Sequence, residues 1–388
     1  MDQERVSPVR RLRRWLSALA VIWLVIACGG GVGTGGTGAF ASGPITGFGS
    51  IVVDGVHFEE SGARIEDDDG SSRDRSDLHL GTMVEVESGE IRDDAATASQ
   101  VRIVSALVGS VTSVAANALV VNGQTVGINA GTVFDDRFPG GLAAIAVGQV
   151  VEVHGFVMPS GGVIIATRIE PKDGATEFKF RGVVTALDTV ARTFDLGGQH
   201  FSYSGQVGGS GDLANGALTR VVVAIQPNTQ GRWVVTSVGR TGPGNVDRNQ
   251  AKARGVIVAF TSIANFVVDG FTVDASTAQI TGGPLASGLR VEVEGRLQAG
   301  VLIAASVEVE DNNHHDELEL RGQIASLDPL AKVFTISGHS ERVSYARTDI
   351  EYDKGTEADL AVGRNVRATG LLSADGTLLE ATRIRFDK

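Results

Sequence analysis

"SIVVDGVHFEE", Ser50–Glu60, and "NFVVDGFTVDA", Asn265–Ala275, share the tetrapeptide VVDG between alternating apolar residues. Period-two alternation marks a strand with one buried face. An Asp-Gly pair between two such runs closes a two-residue hairpin, because a type I′ turn needs positive φ at both central residues. VVDG is therefore a strand entering its turn. The pattern occurs five times: Asp54-Gly55, Asn122-Gly123, Gly197-Gly198, Asp269-Gly270 and Ser337-Gly338 follow "SIVV", "ALVV", "TFDL", "NFVV" and "VFTI".

The first turn residues lie 68, 75, 72 and 68 positions apart. Solenoid repeats have periods of about 20–50 residues, so this spacing reads as one small domain per repeat. Other positions hold the register. Gly-x-Ile/Val precedes each turn (Gly43/Ile45, Gly109/Val111, Gly182/Val184, Gly255/Ile257, Gly322/Ile324). Gly-x-x-Val follows it in four repeats (Gly81/Val84, Gly148/Val151, Gly288/Val291, Gly363/Val366), whereas the third, "LTRVVVAIQPN", lacks that spacing. Each repeat reads as five strands: a meander of three, a short link of helical character such as "EADLAVG" (357–363), and two more. The expected fold is all-β, five tandem small five-stranded OB-like Greek-key barrels. A different small β-sandwich or roll carries the same alternation. Phe194, Phe266 and Phe334 share phase with Leu196, Val268 and Ile336 and are assigned to cores.

The expected organisation is a signal peptide (1–27), a lipidated Cys and flexible tether (28–42), and repeats at 43–105, 106–172, 177–241, 250–311 and 317–388. Polar linkers "EPKDGAT" (170–176), "TGPGNVDRN" (241–249) and "EDNNHHDE" (310–317) separate the later repeats. Self-contained repeats on polar linkers predict an extended array.

Five arginines precede the 13-residue apolar run Trp15–Ala27. A membrane-spanning helix needs about 20 residues, so the segment reads as a secretion signal. The run ends in "VIAC", and Cys28 is the sole cysteine. This ending resembles the lipobox of bacterial lipoproteins. The resemblance implies that Cys28 is lipidated and becomes the mature N-terminus, and Gly29 after it implies outer-membrane sorting. Residues 1–27 carry five arginines and two acids, so their removal takes the net charge from −12 to −15. Nucleic-acid binding rests on Lys and Arg neutralising phosphates, and that balance argues against it. It also argues against an anionic membrane surface as a direct partner of the repeats. A lone cysteine allows no internal disulfide.

The whole pattern, above all "GPITGFGSIVVDGVHF" (Gly43–Phe58), resembles a family of uncharacterised tandem OB-like β-repeat domains of exported bacterial lipoproteins. The likeness spans about nine-tenths of the mature chain. It implies fold and location, and it supplies no catalytic residue.

Glu85/Glu87 and Glu292/Glu294 lie two apart on strands, about 6.7 Å along the chain, inside the roughly 6.5–9.5 Å of inverting glycosidases. An exposed strand face offers nothing to raise one pKa, so both pairs read as solvated. "IEDDDGSSRDRSD" (65–77) fails as an EF-hand, since Ile65 and Ser76 fall where the first and last ligands belong. A looser calcium site from Asp67, Asp69, Asp74 or Asp77 stays open beside the reading of a solvated acidic loop. His314-His315-Asp316 sits in a linker with no further metal ligand nearby. His57 and His200 alternate with Thr125 and Thr272 at one repeat position and read as surface. Phosphate loops and Ser/His/acid motifs are absent. The outward residues Asp195, Val267 and Thr335 offer no stacking platform for single strands.

The expectation is a non-enzymatic cell-envelope lipoprotein without cofactor, a tandem scaffold or binding array. It is held to the membrane through its lipidated N-terminus, with a protein or glycan partner in the envelope. A binding module for a periplasmic oligosaccharide or cell-wall polymer is the alternative, and a glycan hydrolase the second.

Overall fold

A computed structural model describes residues 38–159, 162–209, 212–239, 241–310, 317–339, 341–373 and 375–387. The first strands are β1 (Ala39–Phe48), β2 (Ile51–Val53), β3 (Val56–Glu59), β4 (Arg64–Asp67), β5 (Met83–Ser88) and β6 (Ala95–Ile103). β1 is antiparallel to β2 and β5, and β2 to β3. β6 is parallel to β3 and antiparallel to β5. The ring β1-β2-β3-β6-β5 thus closes, which removes the free sheet edges that invite wrong pairing. β4 is a further short strand on β6. The same ring order joins strands within 107–171, 177–239, 248–309 and 318–386. The chain is all-β, built of small closed five-stranded barrels. Among the described residues, 3-10 turns stand in the links at Arg75–Asp77, Gly141–Ala144 and Glu357–Asp359.

The two glycine motifs meet in one hydrogen-bond pair. Gly81 N donates to Ile45 O at 2.8 Å, and Ile45 N donates to Thr82 O at 2.9 Å. Gly148 to Val111, Gly288 to Ile257 and Gly363 to Ile324 repeat the first bond, each at 2.8 Å. The third segment keeps it through Gly216 to Val184 at 2.9 Å, so its missing motif is a change of valine, not of glycine. The glycine before the strand has a steric reason. A Cβ on Gly109 would stand 2.3 Å from the Asn122 amide nitrogen.

Four of the turns have positive φ at both residues, as at Asp54 (52°) and Gly55 (73°) or Asp269 (45°) and Gly270 (94°). The fifth departs from expectation. At Ser337-Gly338 only Gly338 has positive φ, and the next strand begins at Arg342, so a longer loop replaces the two-residue turn. Phe194, Phe266 and Phe334 are buried as expected.

The expected extended array is not found: Gly36–Lys388 is one compact unit. β2 covers β1 only at Ile45 and Gly47, so residues 39–42 have an open edge on that side. The strand Arg248–Ser262 has the same gap, since its hairpin partner starts pairing at Ile257. The two gaps fill each other in parallel, from Ala39↔Gln250 to Ser42↔Ala253. Gly47 and Phe48 likewise pair with Glu319 and Leu320, and Leu107 and Val108 with Phe180 and Lys179. Apolar cores cross the same contacts. Val84 and Phe58 share a cluster with Leu320 and Ile384, Val153 with Phe180 and Val221, and Phe40 packs edge-on to Phe271 at 5.5 Å.

Candidate functional site

The VVDG turns do not end in water. Asp269 is buried against Arg181 of the strand Glu177–Asp188, whose guanidinium lies 3.0 Å from its carboxylate and donates to its carbonyl at 3.1 Å. Burial raises the Asp269 pKa to about 6 although Arg181 pulls the other way. Asn122, at the matching place, accepts from Ser110 N at 3.0 Å. Asp54 has no such donor, because Pro44 stands where Ser110 stands and carries no N–H. Both Asp54 carboxylate oxygens are buried without a hydrogen-bond partner. Burial and Glu292 push its pKa to about 8, against the pull of Arg254 and Lys252.

The acidic loop is a second docking element. Lys179 Nζ donates to Asp67 at 2.8 Å and to Asp68 at 2.7 Å, and Arg220 reaches Asp68 at 3.1 Å. Arg73 holds the other Asp67 oxygen at 2.7 Å. Burial alone would raise both acids. For Asp67 the Lys179 charge and the hydrogen bonds around it win, and its pKa falls well below the ordinary range. Asp68 is pushed up to about 6. Of the calcium candidates, Asp67 is thus occupied by cations. Asp69 accepts from Ser71 N at 2.8 Å, and Asp77 accepts from Asp74 N at 2.9 Å. Among the described residues no three His, Cys, Asp or Glu side chains come together as a metal-holding group. Cys28, His314, His315 and Asp316 lie outside the described residues. No helix among those described is long and apolar enough to cross a membrane.

Glu85 corrects the reading of a solvated strand face. It is buried, and Arg102 binds it at 2.9 Å. Its face looks onto another barrel: it lines a polar cavity of about 270 Å³ together with Arg181 and Arg220. Glu87 pairs with Arg248 at 2.7 Å and Glu294 with Lys252 at 2.5 Å, both part-exposed. His200 is exposed beside Asp195, 2.6 Å away, and His57 is half-buried.

The feature most like a ligand site was not legible in the sequence. A cavity of about 650 Å³ opens where β1, β2 and the acidic loop meet the turn after Ile336. Phe48, Ile51 and Leu78 form buried apolar parts of its wall. The Phe48 and His339 rings lie 4.8 Å apart, tilted by 34°. Glu60 is buried, accepts from Ile51 N at 3.2 Å and pairs with Arg75, which the 3-10 turn Arg75–Asp77 brings to the wall. His79 and Glu341 complete the polar lining. Burial lowers the pKa of both histidines, helped at His79 by Arg168, so both rings are neutral near pH 7.

A family model described as a domain of unknown function (DUF5666) matches residues 108–170, 254–308 and 321–385. Each match falls on one closed ring of strands, and none includes Gly43–Phe58, the stretch expected to be most family-like. No curated protein matches the chain. Three segments of this chain are therefore similar to a repeated domain of unknown function.

Proposed function

We propose that this chain is a non-enzymatic cell-envelope lipoprotein, a scaffold of five tandem OB-like units anchored through lipidated Cys28. The observation that carries the scaffold reading is the use made of its perturbed acids. Asp68 and Asp269, both buried with raised pKa, are bound by cations from another barrel. Strongly shifted groups mark active sites in many proteins, but ion-pair networks shift them too, and Asp68 and Asp269 serve docking. The anchor rests on the "VIAC" ending of the apolar run and the sole cysteine.

Metabolic labelling with a fatty-acid analogue, with mass spectrometry of the mature N-terminus, tests the anchor. The expected result is a lipid-modified Cys28 as first residue. An unmodified Cys28, or cleavage downstream of it, overturns the lipoprotein assignment. A second reading, binding of an envelope oligosaccharide, is favoured by the Phe48–His339 cavity.

A further inference from the structure

We infer that the cavity walled in part by Phe48 and His339 binds a neutral pyranose unit of an oligosaccharide. This rests on the second reading above and gives it a place and a chemistry. Ligand pockets usually enclose about 300–1,000 Å³, mainly apolar with a few polar groups that fix orientation, and this one has about 650 Å³. Its wall combines an apolar patch from Phe48, Ile51 and Leu78 with hydrogen-bonding groups of both senses. Each neutral imidazole offers one donor and one acceptor, and Arg75 offers donors only. Glu341 lines the cavity with a carboxylate, an acceptor only.

Charge narrows the class. Arg75 is spent on Glu60, which leaves Glu341 as the uncompensated charge of the lining, so an anionic ligand is repelled. A purely apolar ligand would leave Glu341 and the imidazoles unpaired. A pyranose has an apolar ring face for the part-exposed His339 ring, which Phe48 backs, and a rim of hydroxyls for the rest.

Saturation-transfer NMR of the purified protein with maltotriose, cellotriose and tri-N-acetylchitotriose, and with trigalacturonate as the anionic arm, tests this. At least one neutral trisaccharide should bind saturably, and trigalacturonate should not. His339→Ala and Glu341→Ala should each weaken binding at least tenfold. Ser76→Trp, at an exposed position of the rim, should block it without touching the core, which covers the case of a misfolded variant. Neutral-sugar binding unchanged in a folded Ser76→Trp protein overturns this site while leaving the oligosaccharide reading intact. Absence of binding by all neutral sugars overturns both. Preferred binding of trigalacturonate overturns the charge argument.

Discussion

Arg181 and Asp269 face each other at 3.0 Å, their side chains 2% and 5% exposed, on strands and turns of two different barrels. Breaking a buried pair from one side leaves an uncompensated charge, at a cost of about 3–5 kcal/mol. Arg181→Ala should therefore lower unfolding stability by that amount in urea titration. The double variant Arg181→Met, Asp269→Asn should recover most of it, since Asn tolerates the positive φ of this turn. A double variant no better than the single one would show that the pair is not the docking contact.

Asp54 gives a pH dependence of opposite sense to a surface salt bridge. Its folded pKa of about 8 lies above the ordinary 3.8, so folding takes up a proton there. Its contribution is fully present below about pH 4 and is lost as pH rises through 8. Asp54→Asn should thus match the parent near pH 4 and become increasingly more stable up to pH 8. The gain should reach the order of several kcal/mol, given about 1.4 kcal/mol per pKa unit. Parallel stability curves of the two proteins from pH 4 to 9 would refute the buried, unpartnered carboxylate.

Gly270 and Gly55 occupy matching turns with different surroundings. Both have positive φ, but a Cβ on Gly270 meets Gly242 N and Thr241 at 3.0 Å, whereas Gly55 has open space. Valine at either position should cost about 1–3 kcal/mol of backbone strain. Gly270→Val should cost measurably more than Gly55→Val in thermal unfolding. Equal losses would mean that the turn at Gly270 is not packed against the 241–242 segment.

Lys179→Met should leave Asp68, a buried acid, with Arg220 alone. A loss of about 3 kcal/mol is expected. Wild-type stability in this variant would contradict the role of the acidic loop in docking.

Period and turn chemistry were enough to read the strands, four of the two-residue turns and the phenylalanine cores. The third segment's fourth strand was obscured because Thr219 replaces the valine of its motif, while the glycine that fixes the geometry, Gly216, remained. Docking was not legible. In "EFKFR", Phe178 and Phe180 point inward, and alternation assigns Lys179 and Arg181 to the other face. It cannot say whether that face meets water or a second barrel, and here both side chains are buried. Glu85 misled for the same reason. The Phe48–His339 cavity was invisible because its walls come from segments nearly 300 residues apart in the chain. The Ser337-Gly338 loop that forms one wall was read as a tight turn.

Docking of the barrels into one body is the central claim, and small-angle X-ray scattering of Gly36–Lys388 tests it most directly. A compact body of this length should give a radius of gyration of roughly 20 Å and a pair-distance distribution with a single peak. A radius well above that value, with a drawn-out tail of separated beads, would contradict the shared strand edges and the buried Arg181–Asp269 pair.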